Sequence, residues 1–241
     1  MKTVILYGLR RSGNHFLISL ILQQFSNYVH INDTTLSYNE YTKYIDIKKS
    51  KDRTDGKWTG FKDVDCLVIS IENQIIDISE IEKFHKIKNF YFIMLLRSPY
   101  SHFSSVWKIY NKNKNNLTDI VKLWKEYAKF FINNNNSINN NNNSINNNNN
   151  NNIIKVIYDK LSCNENYMID IIKKLDINNI NIDKNFIIPY QKSSFGSDIK
   201  HIRQTYKTIQ DCVYRDDDKF LNLINDKEIH DLWDTISKME N

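Results

Sequence analysis

Two glycines near the start of the chain bracket a short basic loop. Gly8 and Gly13 are separated by four residues, and Arg10 and Arg11 lie between them. Glycine lets the backbone take positive φ and present successive N–H groups to an anion, and arginine can bridge two anionic oxygens. A plain turn that carries a solvated arginine pair is the alternative. The spacing favours a site for an anion such as a phosphate group.

The residues that end this loop differ from those of a nucleotide triphosphatase. Such a loop ends in Lys and then Ser or Thr, which hold the phosphates and Mg²⁺, whereas Asn14 and His15 follow Gly13 here. A triphosphatase also needs an acid at a strand end to hold the metal, but the most apolar run, 90–96, is followed by Arg97. We therefore expect no bound metal, and a P-loop kinase or NTPase is a disfavoured alternative.

A second basic position follows that apolar run. Pro99 sets a turn after Arg97, and Ser105 lies two turns into the helix that we expect next. Ligands of parallel α/β sheets bind at the carboxyl ends of the strands. Arg97 and Ser105 are therefore candidates to hold a second phosphate. An arginine that merely caps the sheet, with a serine on the helix surface, is the alternative.

The elements around these residues predict an α/β fold, with a parallel sheet flanked by helices and a helical C-terminal part. Apolar runs typical of strands covered on both faces lie at 3–7, 66–72, 89–97 and 153–159. Helical spacing of apolar residues occurs at 14–25, 78–87, 101–110, 117–131 and 168–175. Two more helices are expected through 202–213 and 229–236, and 28–57 is expected to form loops and short helices that face a substrate or cover it.

The length of 241 residues indicates one domain, 1–241. Within it, 133–152 is nearly pure asparagine and is predicted to be a disordered insertion between a helix and a strand. Loop-closure cost grows slowly with length, so the fold tolerates such an insertion.

Composition narrows the classes of partner and compartment. The net charge is +5, but Lys and Arg are interspersed with Asp and Glu, so we expect no nucleic-acid surface and favour an anionic small molecule. Cys66, Cys163 and Cys212 are too far apart for a disulfide framework or a zinc site. The apolar run at 3–7 is short for a signal peptide and has no small-residue cleavage site after it, and no apolar run approaches the ~20 residues that a membrane span needs, so we expect neither feature. These features predict a reduced, cytoplasmic protein.

Three motifs, in order along the chain, resemble those of the sulfotransferases that use 3′-phosphoadenosine 5′-phosphosulfate. The first is R-S-G-N at 11–14, the second is R-x-P-x-x-x-x-x-S at 97–105, and the third is a strand ending in Y-D-K-L at 158–161. The resemblance implies a P-loop-like fold without magnesium chemistry. It also implies an enzyme that transfers a sulfuryl group from this nucleotide to a hydroxyl or amine acceptor.

The resemblance assigns roles to individual residues. The 5′-phosphosulfate would be held by Arg10, Arg11, Ser12, Gly13, Asn14 and His15, and the 3′-phosphate by Arg97 and Ser105. Arg11 and His15 would stabilise the charge of the leaving phosphate. A late segment that closes over the 3′-phosphate would include Lys192, Ser193 and Gly196, although an ordinary Ser/Gly loop between helices fits these residues equally well.

A general base must take the proton of the acceptor. Glu72 closes the strand after the loop helix, where the family often has its base, and a surface carboxylate is the alternative. Other candidates are His30, Asp63, Asp65 and His102, the last placed to contact a phosphate or to lie on a helix surface. A relative that binds the nucleotide without catalysis is a further alternative. Small molecules, lipids, glycans and peptides remain open as acceptors, as does the oligomeric state.

Overall fold

The computed structural model describes residues 1–34, 38, 64–75, 77–84, 87–110, 115–133, 153–183 and 205–239. The strands are β1 (Lys2–Gly8), β2 (Tyr28–Ile31), β3 (Cys66–Glu72), β4 (Phe90–Leu96) and β5 (Ile153–Ile157). The helices are α1 (Asn14–Leu22), α2 (Ile78–Phe84), α3 (Pro99–Tyr110), α4 (Asn115–Asn133), α5 (Tyr158–Leu161), α6 (Glu165–Lys173), α7 (Asp218–Ile224) and α8 (Lys227–Lys238). Lys192, Ser193, Gly196, Asp63 and residues 134–152 of the asparagine tract lie outside the described residues.

The five strands form one all-parallel sheet in the order β2-β3-β1-β4-β5. The central strand β1 pairs with β3 and β4, so that Gly8 lies opposite Glu72 on one side and Leu95 on the other. The predicted parallel α/β fold is confirmed. Because the carboxyl ends of these three strands meet at one edge, the loop after β1 lies beside Glu72 and Arg97.

Helices cover both faces of the sheet, which explains why the strand sequences are apolar at consecutive positions. Val4 and Leu6 of β1 face a core built with α1, α5 and α6. Ile5 and Tyr7 face the opposite core, which α2, α3, α4, α7 and α8 complete. The strand that carries the loop is therefore buried on both sides, and its end is a rigid support.

Three expectations about secondary structure are wrong. A strand, β2, forms within 28–57 because four residues that show no clear pattern pair with β3 at the sheet edge. The strand predicted over 153–159 ends at Ile157, and Tyr158 begins α5. The helix predicted through 202–213 is absent from its described part, 205–213, where Thr208 and Asp211 cap a single 3-10 turn and Val213 is 63% exposed.

Several helix boundaries also differ from the expected ones. The helix predicted over 14–25 ends at Leu22, and the one predicted over 101–110 already begins at Pro99. In the described residues, no helix combines the length and apolarity needed to cross a membrane.

Candidate functional site

The loop between β1 and α1 exposes backbone donors at the N-terminus of α1. Arg11 and Gly13 both take left-handed backbone conformations, with φ of 70° and 98°. The Ser12 N–H donates to Leu9 O within the loop, but the N–H groups of Gly13 and Asn14 have no acceptor among the described residues. Such donors, together with the helix dipole, attract an anion.

The side chains of Ser12 and Asn14 hold the loop in shape. Ser12 Oγ lies 2.6 Å from Leu9 O and 3.0 Å from Asn14 Oδ1. The Asn14 amide donates to Leu9 O at 3.1 Å and to Glu72 Oε1 at 2.7 Å. A Cβ at Gly8 would lie 1.9 Å from Asn14 Oδ1, so this clamp requires glycine there. Ser12 and Asn14 thus serve the anion site by shaping its backbone, and their side-chain donors are engaged within the loop and with Glu72.

The Tyr158 ring packs against both the loop and Arg97. A Cβ at Gly13 would lie 2.0 Å from the Tyr158 ring, so the glycine is required by close approach as well as by its φ. The ring also packs edge-on against Phe16, and the Arg97 guanidinium lies 4.8 Å from the ring centroid. The tyrosine of the third motif is therefore a packing residue that contacts both the loop and Arg97.

Arg11, Arg97 and Ser105 are brought together from two distant motifs. Arg97 is 6% exposed and donates from Nη1 to Arg11 O at 3.0 Å. Arg11 Nε donates to Ser105 Oγ at 3.4 Å. The Trp124 indole N–H donates to Arg97 O at 3.0 Å and fixes the backbone at the end of β4. The buried Arg97 guanidinium contacts the Arg11 backbone, and the Arg11 side chain reaches Ser105, so both arginines contribute a positive potential suited to an anion at this edge of the sheet.

Asp159 bonds to the segment that joins Arg97 to the helix of Ser105. Its carboxylate accepts the Ser98 N–H at 2.7 Å and the Ser101 hydroxyl at 2.7 Å. An acceptor at the first N–H groups of a helix satisfies donors that have no partner within the helix. Asp159 thereby anchors the start of α3, the helix that carries Ser105.

Glu72 lies on the other side of the loop, with its side chain 12% exposed. Besides accepting from Asn14, it has Arg10 Nε 3.6 Å from Oε2, and Arg10 also pairs with Asp33 at 2.6 Å. Burial raises the pKa of Glu72 above its ordinary value, and the Asn14 hydrogen bond partly opposes that rise. A carboxylate with a raised pKa beside an anion site is suited to accept a proton.

The remaining base candidates lie in different surroundings. His30 is buried in β2 with Nε2 3.0 Å from Ser70 Oγ, and its ring packs edge-on to that of His15 at 6.2 Å. Asp65 precedes β3 and lies about 20 Å from Glu72, at the strand's opposite end. The alternative that His102 lies on the helix surface is wrong, because the side chain is fully buried.

Sequence reasoning missed the contacts that join distant segments, such as Asp159 with α3 and Ser70 with His30. No local signal identifies them, since their partners are 58 and 40 residues away. No protein-family model matches the chain, and no curated protein matches it. The interpretation of the site therefore depends on the geometry of its own residues.

Proposed function

We propose that this chain is a sulfotransferase that uses 3′-phosphoadenosine 5′-phosphosulfate and an acceptor with a hydroxyl or amine group. The observation that carries the proposal is the contact of Arg11 with Ser105 and of Arg97 with the Arg11 carbonyl. These residues come from two motifs that resemble the family's two phosphate sites. They meet beside backbone donors at the N-terminus of α1, which also suit a phosphate.

The family resemblance implies the role proposed for each group. The Gly13 and Asn14 N–H groups and the Arg11 guanidinium would hold the 5′-phosphosulfate, and Arg97 and Ser105 would hold the 3′-phosphate. In the reaction, the acceptor oxygen or nitrogen bonds to sulfur while the bond from sulfur to the 5′-phosphate oxygen breaks, leaving its electron pair on that oxygen. Arg11 would stabilise the resulting charge, and Glu72 would take the acceptor's proton.

The residues at the loop argue against a kinase or NTPase. Asn14 occupies the place of the lysine of such loops, and its amide is bonded to Leu9 O and Glu72. A short side chain tied into the loop cannot reach a γ-phosphate as a lysine does. Arg97 likewise stands at the end of β4, where an acid would hold a metal ion.

Ligand-induced thermal stabilisation tests the proposal. We expect adenosine 3′,5′-bisphosphate to raise the melting temperature in EDTA, and ATP with Mg²⁺ to raise it far less. Arg97→Lys keeps the charge but loses the planar fork, so the shift should shrink. Arg215→Lys changes an arginine that is 57% exposed outside the site and serves as the control. Stronger stabilisation by ATP with Mg²⁺ would contradict the proposal.

A second candidate, a nucleotide-binding protein without transferase activity, is favoured by the engagement of both Glu72 oxygens. Asn14 bonds one of them and Arg10 lies near the other. A transfer assay with sulfur-labelled donor and a panel of sugars, phenols, amines and peptides separates the two. Transfer that Glu72→Gln abolishes supports the enzyme, whereas nucleotide binding with no transfer to any acceptor supports the binding protein.

A further inference from the structure

One face of α3 and its N-terminal flank carries four polar side chains. Ser98, Ser101, His102 and Ser105 have the i, i+3, i+4 and i+7 spacing that places residues on the same side of a helix. Ser98 and Ser101 are bonded to Asp159, and Ser105 accepts from Arg11. His102 therefore lies between the anchored start of the helix and the arginine cluster.

His102 is the exception in this row because its ring is buried and makes no hydrogen bond with the residues that the structure describes. Its side chain is 0% exposed, and neither ring nitrogen has a hydrogen-bond partner within the described part of the chain. Buried polar groups almost always have a partner, because an unmade hydrogen bond costs the full desolvation of the group. A buried ring with no hydrogen-bond partner among the described residues is a candidate to bind a ligand.

The surroundings keep this histidine neutral. Burial, followed by the positive charges of Arg97 and Arg11, lowers the pKa of His102 to about 3. A neutral imidazole has one N–H donor and one acceptor nitrogen. It can thus donate a hydrogen bond to an anion without adding a third positive charge beside two arginines.

We propose that His102 donates to the phosphate held by Arg97 and Ser105, and that this contact makes the site prefer nucleotides with a 3′-phosphate over those with a free 3′-hydroxyl. This inference rests on the proposed function. A phosphate monoester offers three terminal oxygens, which is enough for an arginine, a serine and a histidine together. A buried water molecule that bridges His102 to the protein is the competing occupant.

Calorimetric titration with two nucleotides tests the proposal. For His102→Phe, which keeps a ring but removes both nitrogens, we expect affinity for adenosine 3′,5′-bisphosphate to fall by roughly tenfold or more. Affinity for adenosine 5′-monophosphate should stay within about twofold, since no 3′-phosphate is present to lose a contact. His102→Asn retains an N–H donor and should recover part of the loss. His230→Phe changes a histidine of α8 that bonds Tyr100 and serves as the control.

The melting temperature of the free protein gives a second readout. Because His102→Phe removes a buried group that has no hydrogen-bond partner among the described residues, the free variant should melt at or above the wild-type temperature while its stabilisation by the bisphosphate shrinks. Should the phenylalanine variant fail to fold, nitrogen-15 spectra of the wild-type histidine rings replace it. The His102 signals should then shift with the bisphosphate and not with the monophosphate.

Three results would overturn the inference. Equal affinity of wild type and His102→Phe for the bisphosphate would leave a bridging water as the partner of His102. Equal losses for both nucleotides would mean that the ring supports the loop and does not contact the 3′-phosphate. Wild type that binds neither nucleotide would refute the proposed function itself, and this result is distinct from the first two because no variant is involved.

Discussion

Replacement of Gly13 by alanine tests the loop conformation on which the site depends. Gly13 has φ of 98°, and a Cβ there would lie 2.0 and 2.1 Å from two ring carbons of Tyr158. Two costs therefore combine in Gly13→Ala. One is a backbone conformation that alanine rarely takes. The other is a collision, because the ring or the loop must move by more than 1 Å before the Cβ and the ring reach the ordinary contact distance of roughly 3.5–4 Å.

The expected cost follows from these two contributions. A strained backbone conformation costs about 1–3 kcal/mol, and forcing extra volume into a packed site costs about 1–3 kcal/mol. The free energy of unfolding should thus fall by roughly 2–6 kcal/mol, a large part of the 5–15 kcal/mol typical of a domain. A loss near the middle of that range lowers the melting temperature by about 8–16 °C for a chain of this size.

Urea unfolding of a double-mutant cycle separates the two contributions. In a Tyr158→Leu background the collision is relieved, so Gly13→Ala should cost about 1–3 kcal/mol less than in wild type. Gly13→Asn keeps the Cβ but tolerates left-handed backbone better, so it should cost less than alanine. A neutral Gly13→Ala, or one equally costly in both backgrounds, would refute the described packing of the loop on Tyr158.

Two further predictions concern acids of the site. Burial raises the folded-state pKa of Glu72 above about 4, the ordinary value for a glutamate. The free energy of unfolding of the wild type should therefore fall relative to that of Glu72→Gln as the pH rises from about 4 to 7. Urea unfolding at pH 3 and pH 7 measures this difference, and a variant that is more stable than wild type only at pH 3 would contradict it. Asp159→Ala removes the acceptor of the Ser98 N–H and of the Ser101 hydroxyl, so the free energy of unfolding should fall by roughly 1–3 kcal/mol. Asp216→Ala, at a side chain that is 93% exposed, should change stability by less than about 0.5 kcal/mol, and a similarly small effect at Asp159 would exclude its anchoring role.

The sequence is sufficient to predict most of the sheet, because parallel strands that are buried on both faces have runs of consecutive apolar residues. The runs that became β1, β3 and β4 are continuously apolar, and each was recognised within one or two residues of its bounds. The strand β2 was missed because four residues, one of them a histidine, carry no such pattern. Its stability comes from pairing with β3, which is a long-range contact.

For the site, the sequence predicts three of the residues that meet but not what every residue does. The glycine spacing and the two arginine motifs pointed to Arg11, Arg97 and Ser105, which the structure brings into one set of contacts. Asn14 was expected to donate to a phosphate, whereas its amide ties the loop to Glu72. Which acceptor the Asn14 amide meets depends on the curvature of the loop, and the identity of the side chain does not determine that curvature.

The most direct test of the proposed nucleotide site is the dissociation constant for adenosine 3′,5′-bisphosphate, measured by calorimetry in EDTA and again with Mg²⁺. We expect binding that Mg²⁺ does not strengthen. Because Arg11 and Arg97 would each make charge-assisted hydrogen bonds to phosphate, replacement of either by glutamine should weaken binding by roughly tenfold or more. No binding in EDTA, or an affinity that neither substitution changes, would contradict it.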